Sequence, residues 1–205
     1  MNALQCESDL CLSQCMFVVA VVRGITYLDK IMYVICDGSY SHRIRLYNID
    51  TCERLDISID VVGMKNPWDI VVCHHDRQLY VADWNRPKSV PPNPPCIWRV
   101  SADDHSHMNW LPAEEFNNPQ LSLTSRHLVV TSSNNIRQYS TADGRLLSVI
   151  KPPEYMQWLC HAVKTGRQTF VVGHRGTAKD KEQFAVSELF GYCHSFECTK
   201  CAVIL

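Results

Sequence analysis

Pro67-Trp68-Asp69-Ile70-Val71-Val72-Cys73-His74-His75-Asp76-Arg77-Gln78-Leu79-Tyr80-Val81-Ala82-Asp83-Trp84 is the stretch on which the fold is read. Two runs rich in β-branched and aromatic residues, Trp68 to Cys73 and Gln78 to Ala82, flank a polar turn at His74-His75-Asp76. That is the pattern of two short strands joined by a tight connection. Outward from it, Leu79-Tyr80-Val81 recurs as Met32-Tyr33-Val34, Leu128-Val129-Val130 and Phe170-Val171-Val172. The central residues Tyr33, Tyr80, Val129 and Val171 are 47, 49 and 42 residues apart. Short strands repeating with a period in the forties predict an array of β-sheet units of the propeller-blade kind.

The surroundings of each string repeat as well. In the first unit Gly24 to Tyr27 and Lys30 to Cys36 flank a turn at Asp29, Asp37-Gly38 leads into Arg43 to Tyr47, and Arg54 to Ile59 alternates Leu55, Ile57, Ile59. In the second, Cys96 to Val100 supplies a third strand and Met108 to Leu111 a fourth. The third runs through Leu121 to Thr124, His127 to Thr131 and Ile136 to Tyr139, then Arg145 to Ile150 after the Asp143-Gly144 hairpin signal. The fourth offers Trp158 to Val163, Thr169 to Val172 and Phe184 to Leu189, and no fourth strand is recognisable. The expectation is an all-β chain of about three and a half four-stranded antiparallel blades. A β-sandwich also has short strands at this spacing but does not repeat at this period.

The predicted organisation is a disordered, Cys-containing start over 1–15, blades over 16–190 and a Cys-rich tail over 191–205. Within the blades, 16–22 reads as a leftover outer strand, 24–60, 68–111 and 121–150 as full units, and 157–190 as an incomplete one. The run Met16 to Val22 follows acidic Glu7 and Asp9 and falls far short of the roughly 20 residues of a membrane helix, so no membrane span is expected.

Twenty basic and twenty-one acidic side chains leave a formal net charge of -1, which argues against a global field for nucleic acid. The eleven cysteines are odd in number, and many sit singly in apolar runs, as small buried hydrophobes do. With no glycosylation sequon, this composition points to a reducing, cytoplasmic setting.

The strings Gly24 to Gly38, Pro67 to Trp84 and His127 to Ile150 resemble the NHL-like, six-bladed β-propeller superfamily, which includes many invertebrate proteins of unassigned role. The resemblance covers about residues 23 to 190. It implies a propeller architecture, and relatives that range from binding modules of ubiquitin ligases to lactone-hydrolysing enzymes. A closed six-bladed ring takes on the order of 250 residues or more, so a partial ring is expected. Open blade edges imply self-association.

Several constellations bear on chemistry. Cys193, His194, Cys198 and Cys201 have spacing that suits one zinc ion, against an ordinary cysteine-rich end. Cys6, Cys11 and Cys15 match no ligand knuckle. Asp103-Asp104-His105-Ser106-His107 groups carboxylates and imidazoles of the kind that bind a divalent ion or act in acid-base work, but it falls between a third and a fourth strand, where Asp and Ser are ordinary turn formers, and a turn is the expectation. Arg86 to Pro95 contains P-x-x-P, which reads as a polyproline ligand or a stiff inter-strand excursion. Arg43, Arg45, Arg137, His174 and Arg175 are the candidate partner-binding residues. By the same resemblance a lactonase-type calcium site would draw on Asp69, Asp83 and Asn134 or Asn135. Esterase, P-loop, dinucleotide and zinc-protease motifs are missing, so no catalytic residue and no cofactor is expected. The leading expectation is a non-catalytic scaffold that binds a protein. The alternatives are a metal-dependent lactonase or esterase complete only as an oligomer or longer chain, and a truncated propeller without activity of its own.

Overall fold

The computed structural model describes residues 21–36, 42–84, 95–112, 118–166, 169–175, 184–190 and 202–204. They form sixteen strands. The first sheet is β1 (Val22–Leu28), β2 (Ile31–Cys36), β3 (Arg43–Asn48) and β4 (Arg54–Asp60), and the second β5 (Pro67–Cys73), β6 (Gln78–Asp83), β7 (Cys96–Ser101) and β8 (His107–Pro112). The third is β9 (Gln120–Leu123), β10 (His127–Ser132), β11 (Asn135–Ser140) and β12 (Leu146–Ile150), and the fourth β13 (Gln157–Lys164), β14 (Thr169–Arg175), β15 (Phe184–Phe190) and β16 (Ala202–Ile204). In every sheet consecutive strands pair antiparallel, in chain order.

The count of three and a half units therefore becomes four. β16, drawn from the segment read as a Cys-rich tail, pairs with β15 through Val186↔Ile204, Ser187↔Val203 and Glu188↔Ala202. Three apolar residues carry no alternation for a pattern to register. Of the supposed outer strand Met16 to Val22, only Val21 and Val22 are described, and Val22 opens β1. The remainder of that run, the start over 1–15 and the Asp37-Gly38 turn lie outside the described residues.

The tight turns show how closely the units repeat. Ile49, Ala102 and Thr141, each just past a third strand, donate their backbone N–H to the carbonyls of Lys30, Arg77 and Arg126. Asn48, Ser101 and Ser140 donate to the carbonyls of Glu53, Ser106 and Arg145 across each third-to-fourth-strand turn. The fifth residue of each such turn is left-handed: Cys52 at φ 57°, His105 at 61° and Gly144 at 73°. Asp143-Gly144 is the sequence such a turn favours, and the other two units adopt the same backbone without glycine.

The sheets face one another. Tyr33, Ile35, Ile44 and Leu46 pack against Ile70, Leu79, Val81 and Trp98. Tyr80, Ala82 and Ile97, on the other face of the second sheet, pack against Leu121, Leu128 and Val130. Val129 and Ile136 then meet Leu159, Phe170 and Val172. This explains why the second strands of the first three sheets read as continuous apolar runs: both of their faces are buried. The first strands lie side by side, β1 against β5, β5 against β9 and β9 against β13, forming an inner wall that does not close into a ring.

Candidate functional site

The inner wall carries a layer of equivalent positions. Gly24, Asp69, Gln120 and His161 each pair with the fifth residue of their second strand, Ile35, Ala82, Thr131 and Gly173. The Asp69 side chain points at the next inner strand. Asp69 Oδ2 accepts the backbone N–H of Leu121 across the sheet boundary at 2.6 Å, while Oδ1 accepts its neighbour Ile70 N–H at 2.9 Å. Burial pushes the Asp69 carboxyl up to about 6, against the pull of those two donors.

Gly24 shows the same approach without a side chain. A Cβ there would lie 3.0 Å from Ile70 Cγ2 and 3.1 Å from Ile70 N. The first and second inner strands thus approach so closely at Gly24 that a Cβ fits only if Ile70 gives by a few tenths of an ångström. Gly24→Ala is expected to destabilise the chain by about 1–3 kcal/mol, measured by urea unfolding with Gly173→Ala as control. At Gly173 the nearest atom to a Cβ is His161 O at 3.8 Å, an ordinary contact.

Immediately before this layer the inner strands bulge. The pairing skips Arg23 between Val22 and Gly24, Trp68 between Pro67 and Asp69, and Cys160 between Leu159 and His161. A bulge leaves one residue out of the ladder and re-aims its side chain. Arg23 and Trp68 are thereby brought together, the guanidinium carbon 4.7 Å from the indole centroid. Trp84, whose backbone N–H donates to Asn66 O, meets Trp68 edge to face with centroids 5.3 Å apart. The indole N–H of Trp68 is buried and has no acceptor among the described residues. The fourth sheet has a further bulge at Trp158, left-handed at φ 53° and 59% exposed. Sequence patterning missed this rim because a bulge breaks the period of two on which strand reading depends.

Asp83 anchors the rim from behind. It is 7% exposed and accepts from Lys65 N at 3.0 Å, Asn66 N at 2.7 Å and Trp98 Nε1 at 3.1 Å. The carboxylates considered for calcium, Asp69 and Asp83, are thus both engaged by N–H donors. Asn134 is exposed on the β10–β11 turn, and Asn135 accepts from Ser132 Oγ at 2.8 Å. Among the described residues no three His, Cys, Asp or Glu side chains converge as a metal site.

Arg43 pairs with Asp60 at 2.6 Å on the first sheet, where Arg45 also lies, while Arg137 is on the third sheet with the second between them. His174 is 4% exposed at the end of β14, next to Arg175. The five are thus spread over the first, third and fourth sheets. Asp103 to His107 make the β7–β8 turn: Ser101 Oγ accepts from Asp103 N and Asp104 N, and Asp104 Oδ1 accepts from Ser106. Hydrogen bonds from Ser101 and Ser106 hold the Asp104 carboxyl down to about 2. Cys193, His194, Cys198, Cys201, the three N-terminal cysteines and Arg86 to Pro94 lie outside the described residues.

Comparison with solved structures agrees with this architecture. The chain is similar to a chain of a nidogen/laminin complex, with 16% identity, a TM-score of 0.55, and coverage of 83% of this chain and 76% of that one. It is similar to the β-propeller domain of the trilobed protease from Pyrococcus furiosus, with an open velcro topology (12% identity, TM-score 0.53, 91% of this chain and 57% of that one). It also resembles the N-terminal domain of Nup159 (7% identity, TM-score 0.55, 84% of this chain and 46% of that one). No family model matches, and no curated protein matches. At these identities the likeness establishes the fold, an unclosed propeller-type array of four blades. Among the described residues no helix is long and apolar enough to cross a membrane.

Proposed function

We propose that this chain is a non-catalytic, NHL-like propeller scaffold that binds another protein in the cytoplasm through the rim at the entry to its inner strands. The observation that carries this reading is the pair of bulges that lift Arg23 and Trp68 out of their ladders and set them beside Trp84. Arginine and tryptophan are the side chains that most often dominate protein interfaces, and a rigid strand holds them at low entropic cost. The carboxylates that a lactonase-type site would use are hydrogen-bonded to the protein's own N–H groups, which supports binding over hydrolysis. We extend the proposal to self-association through the end sheets, where Ile25, Tyr27 and Val163 are exposed.

The test is affinity capture with the full chain and with Trp84→Ala, in parallel with assays of lactone and ester hydrolysis. A protein held saturably by the wild type and lost by the variant is the expected result. Turnover of either substrate with no variant-sensitive partner would overturn the reading. Light scattering reports self-association as a concentration-dependent mass.

A further inference from the structure

Val34, Val81, Val130 and Val172 are equivalent, each standing one place before the second-strand residue that pairs with the inner-wall layer. In three of them the preceding sheet supplies the cover: Val81 packs against the first sheet, Val130 against the second and Val172 against the third, and all are 0% exposed. No described sheet precedes the first. Val34 is nonetheless 2% exposed, with Cys36 at 3% and Tyr47 at 4%. Register puts these side chains on one face, because Val22 lies opposite Cys36, Ile25 opposite Val34 and Met32 opposite Tyr47. Among the described residues the cluster is completed by Val22 and Met32 of the same sheet, while Tyr33, Ile35, Ile44 and Leu46 meet the second sheet from the other side. By contrast Val171, which faces outward from the fourth sheet, is half-buried. A sheet face open to water does not hide a valine, a cysteine and a tyrosine so completely. The burial is that of a single chain, so the chain covers its own first sheet.

Topology narrows the choice of segment. The chain enters β1 at Val22, itself part of the cluster, so residues 1–20 adjoin the margin of this face. They contain Met16-Phe17-Val18-Val19-Ala20, about 16 Å of chain when extended, against about 13 Å from Cys36 to the level of Tyr47. Residues 37–41 join β2 to β3 at the far end from Tyr47, 85–94 return to the second sheet, 113–117 lead from the second to the third, and 167–168, 176–183 and 191–201 connect strands of the fourth. Charge agrees with this choice. Residues 1–20 carry Glu7 and Asp9 and no lysine or arginine, and Arg45, opposite Val34, puts a cation on the face to be covered. We propose that the segment ahead of β1, centred on Met16 to Ala20, folds back over β2 and β3 as a cap in the place a preceding blade would take. It leaves the inner strand open, as the exposure of Ile25 and Tyr27 requires. Terminal units of stacked arrays need such a cover, and here it leaves the fourth sheet and β1 for contacts between copies. The cap is independent of what the rim binds.

Cys36 carries a thiol, and its rate of alkylation in the full chain, located by peptide mass spectrometry, reports the cover. Cys73, 1% exposed between the second and third sheets, is the control. Both are expected to react slowly, at rates independent of protein concentration. Val18→Asp combined with Val19→Asp puts neighbouring carboxylates into the apolar segment, so that one meets the sheet whichever side faces it. This variant is expected to speed Cys36 at least about tenfold and to leave Cys73 unchanged. If it exposes both thiols, a second measurement decides: the full chain with Phe17→p-benzoylphenylalanine is irradiated, and the adduct is expected within one chain, on residues 31–36 or 43–48. Wild-type Cys36 reacting as fast as in denaturant, protection that fades on dilution, a variant in which Cys36 stays protected, or an adduct on another sheet or a second copy would each overturn the proposal.

Discussion

Replacing Asp83 by alanine is expected to destabilise the chain by about 3–5 kcal/mol, a large part of the roughly 5–15 kcal/mol that holds an ordinary domain together. The carboxylate is 7% exposed, and one of its oxygens takes Lys65 N and Trp98 Nε1 while the other takes Asn66 N. Alanine leaves these N–H groups without their acceptor in a place water reaches poorly, and each such orphan costs about 1–3 kcal/mol. Asp83→Asn is the informative companion. It keeps one carbonyl oxygen but turns an NH2 group toward donors, so about half the loss is expected, with chemical denaturation as the measurement. A full-size loss for asparagine would show that charge, rather than the count of acceptors, dominates. A change below about 1 kcal/mol for alanine would show that the Lys65–Asn66 connection holds without the carboxylate.

The effect reaches the rim, because Asn66 O in turn accepts the N–H of Trp84. Loosening the connection at Lys65–Asn66 therefore loosens one side of the Trp68–Trp84 pair. Asp83→Asn at a temperature where the chain stays folded should weaken partner capture more than a distant surface change such as Lys30→Gln, whose side chain sits in an exposed pair with Asp50.

These two carboxylates show where sequence reading succeeds and where it stops. Leu79-Tyr80-Val81 and its three counterparts identified the second strands because the strands of the first three sheets are buried on both faces, and burial writes itself into composition. Alternation located β4 through Leu55, Ile57 and Ile59, although Ile57 is 57% exposed and Ile59 buried, so the pattern found the strand more surely than its buried side. The repeat period gave the unit, and with it the antiparallel order of each sheet. What it did not give are features that depend on a neighbouring sheet. Gly24 reads as an ordinary turn-prone glycine until Ile70 is seen against it. Asp69 and Asp83 read as metal candidates until their N–H donors, 52 and 17 to 18 residues away, are in place. The rim was illegible because Arg23 and Trp68 are extra residues in their ladders, and a strict period of two cannot accommodate them. β16 escaped for the opposite reason, being too short to have a period at all.

Asp69 carries the second large effect, and its sign is opposite to that of most folded carboxylates. An aspartate is half-protonated near pH 3.9 in an unfolded chain, whereas burial pushes Asp69 up to about 6 in the fold. Between these values the folded chain holds a proton that the unfolded chain has released. Its contribution to stability is fully present below about pH 4 and is lost as the pH rises through about 6. The two-unit separation corresponds to roughly 3 kcal/mol. Other groups act in or near the same range. His127 and His161 have pKa values lowered by burial, so they destabilise the fold as the pH falls through the ordinary imidazole range, and this runs against Asp69. Asp76, Asp104 and Asp143 have lowered pKa values, and their stabilisation disappears only in more acidic solution. The measurement is therefore a difference. Unfolding free energies of wild type and Asp69→Asn are compared at steps from pH 4 to 7.5, and the wild type is expected to lose about 2–3 kcal/mol relative to the variant across that interval. A constant difference would mean that Asp69 is ionised throughout and that its bonds to Leu121 and Ile70 outweigh its burial. The expected slope instead places the titration at the boundary between the second and third sheets, where Asp69 Oδ2 meets Leu121 N–H and ionisation alters the contact of one blade with the next.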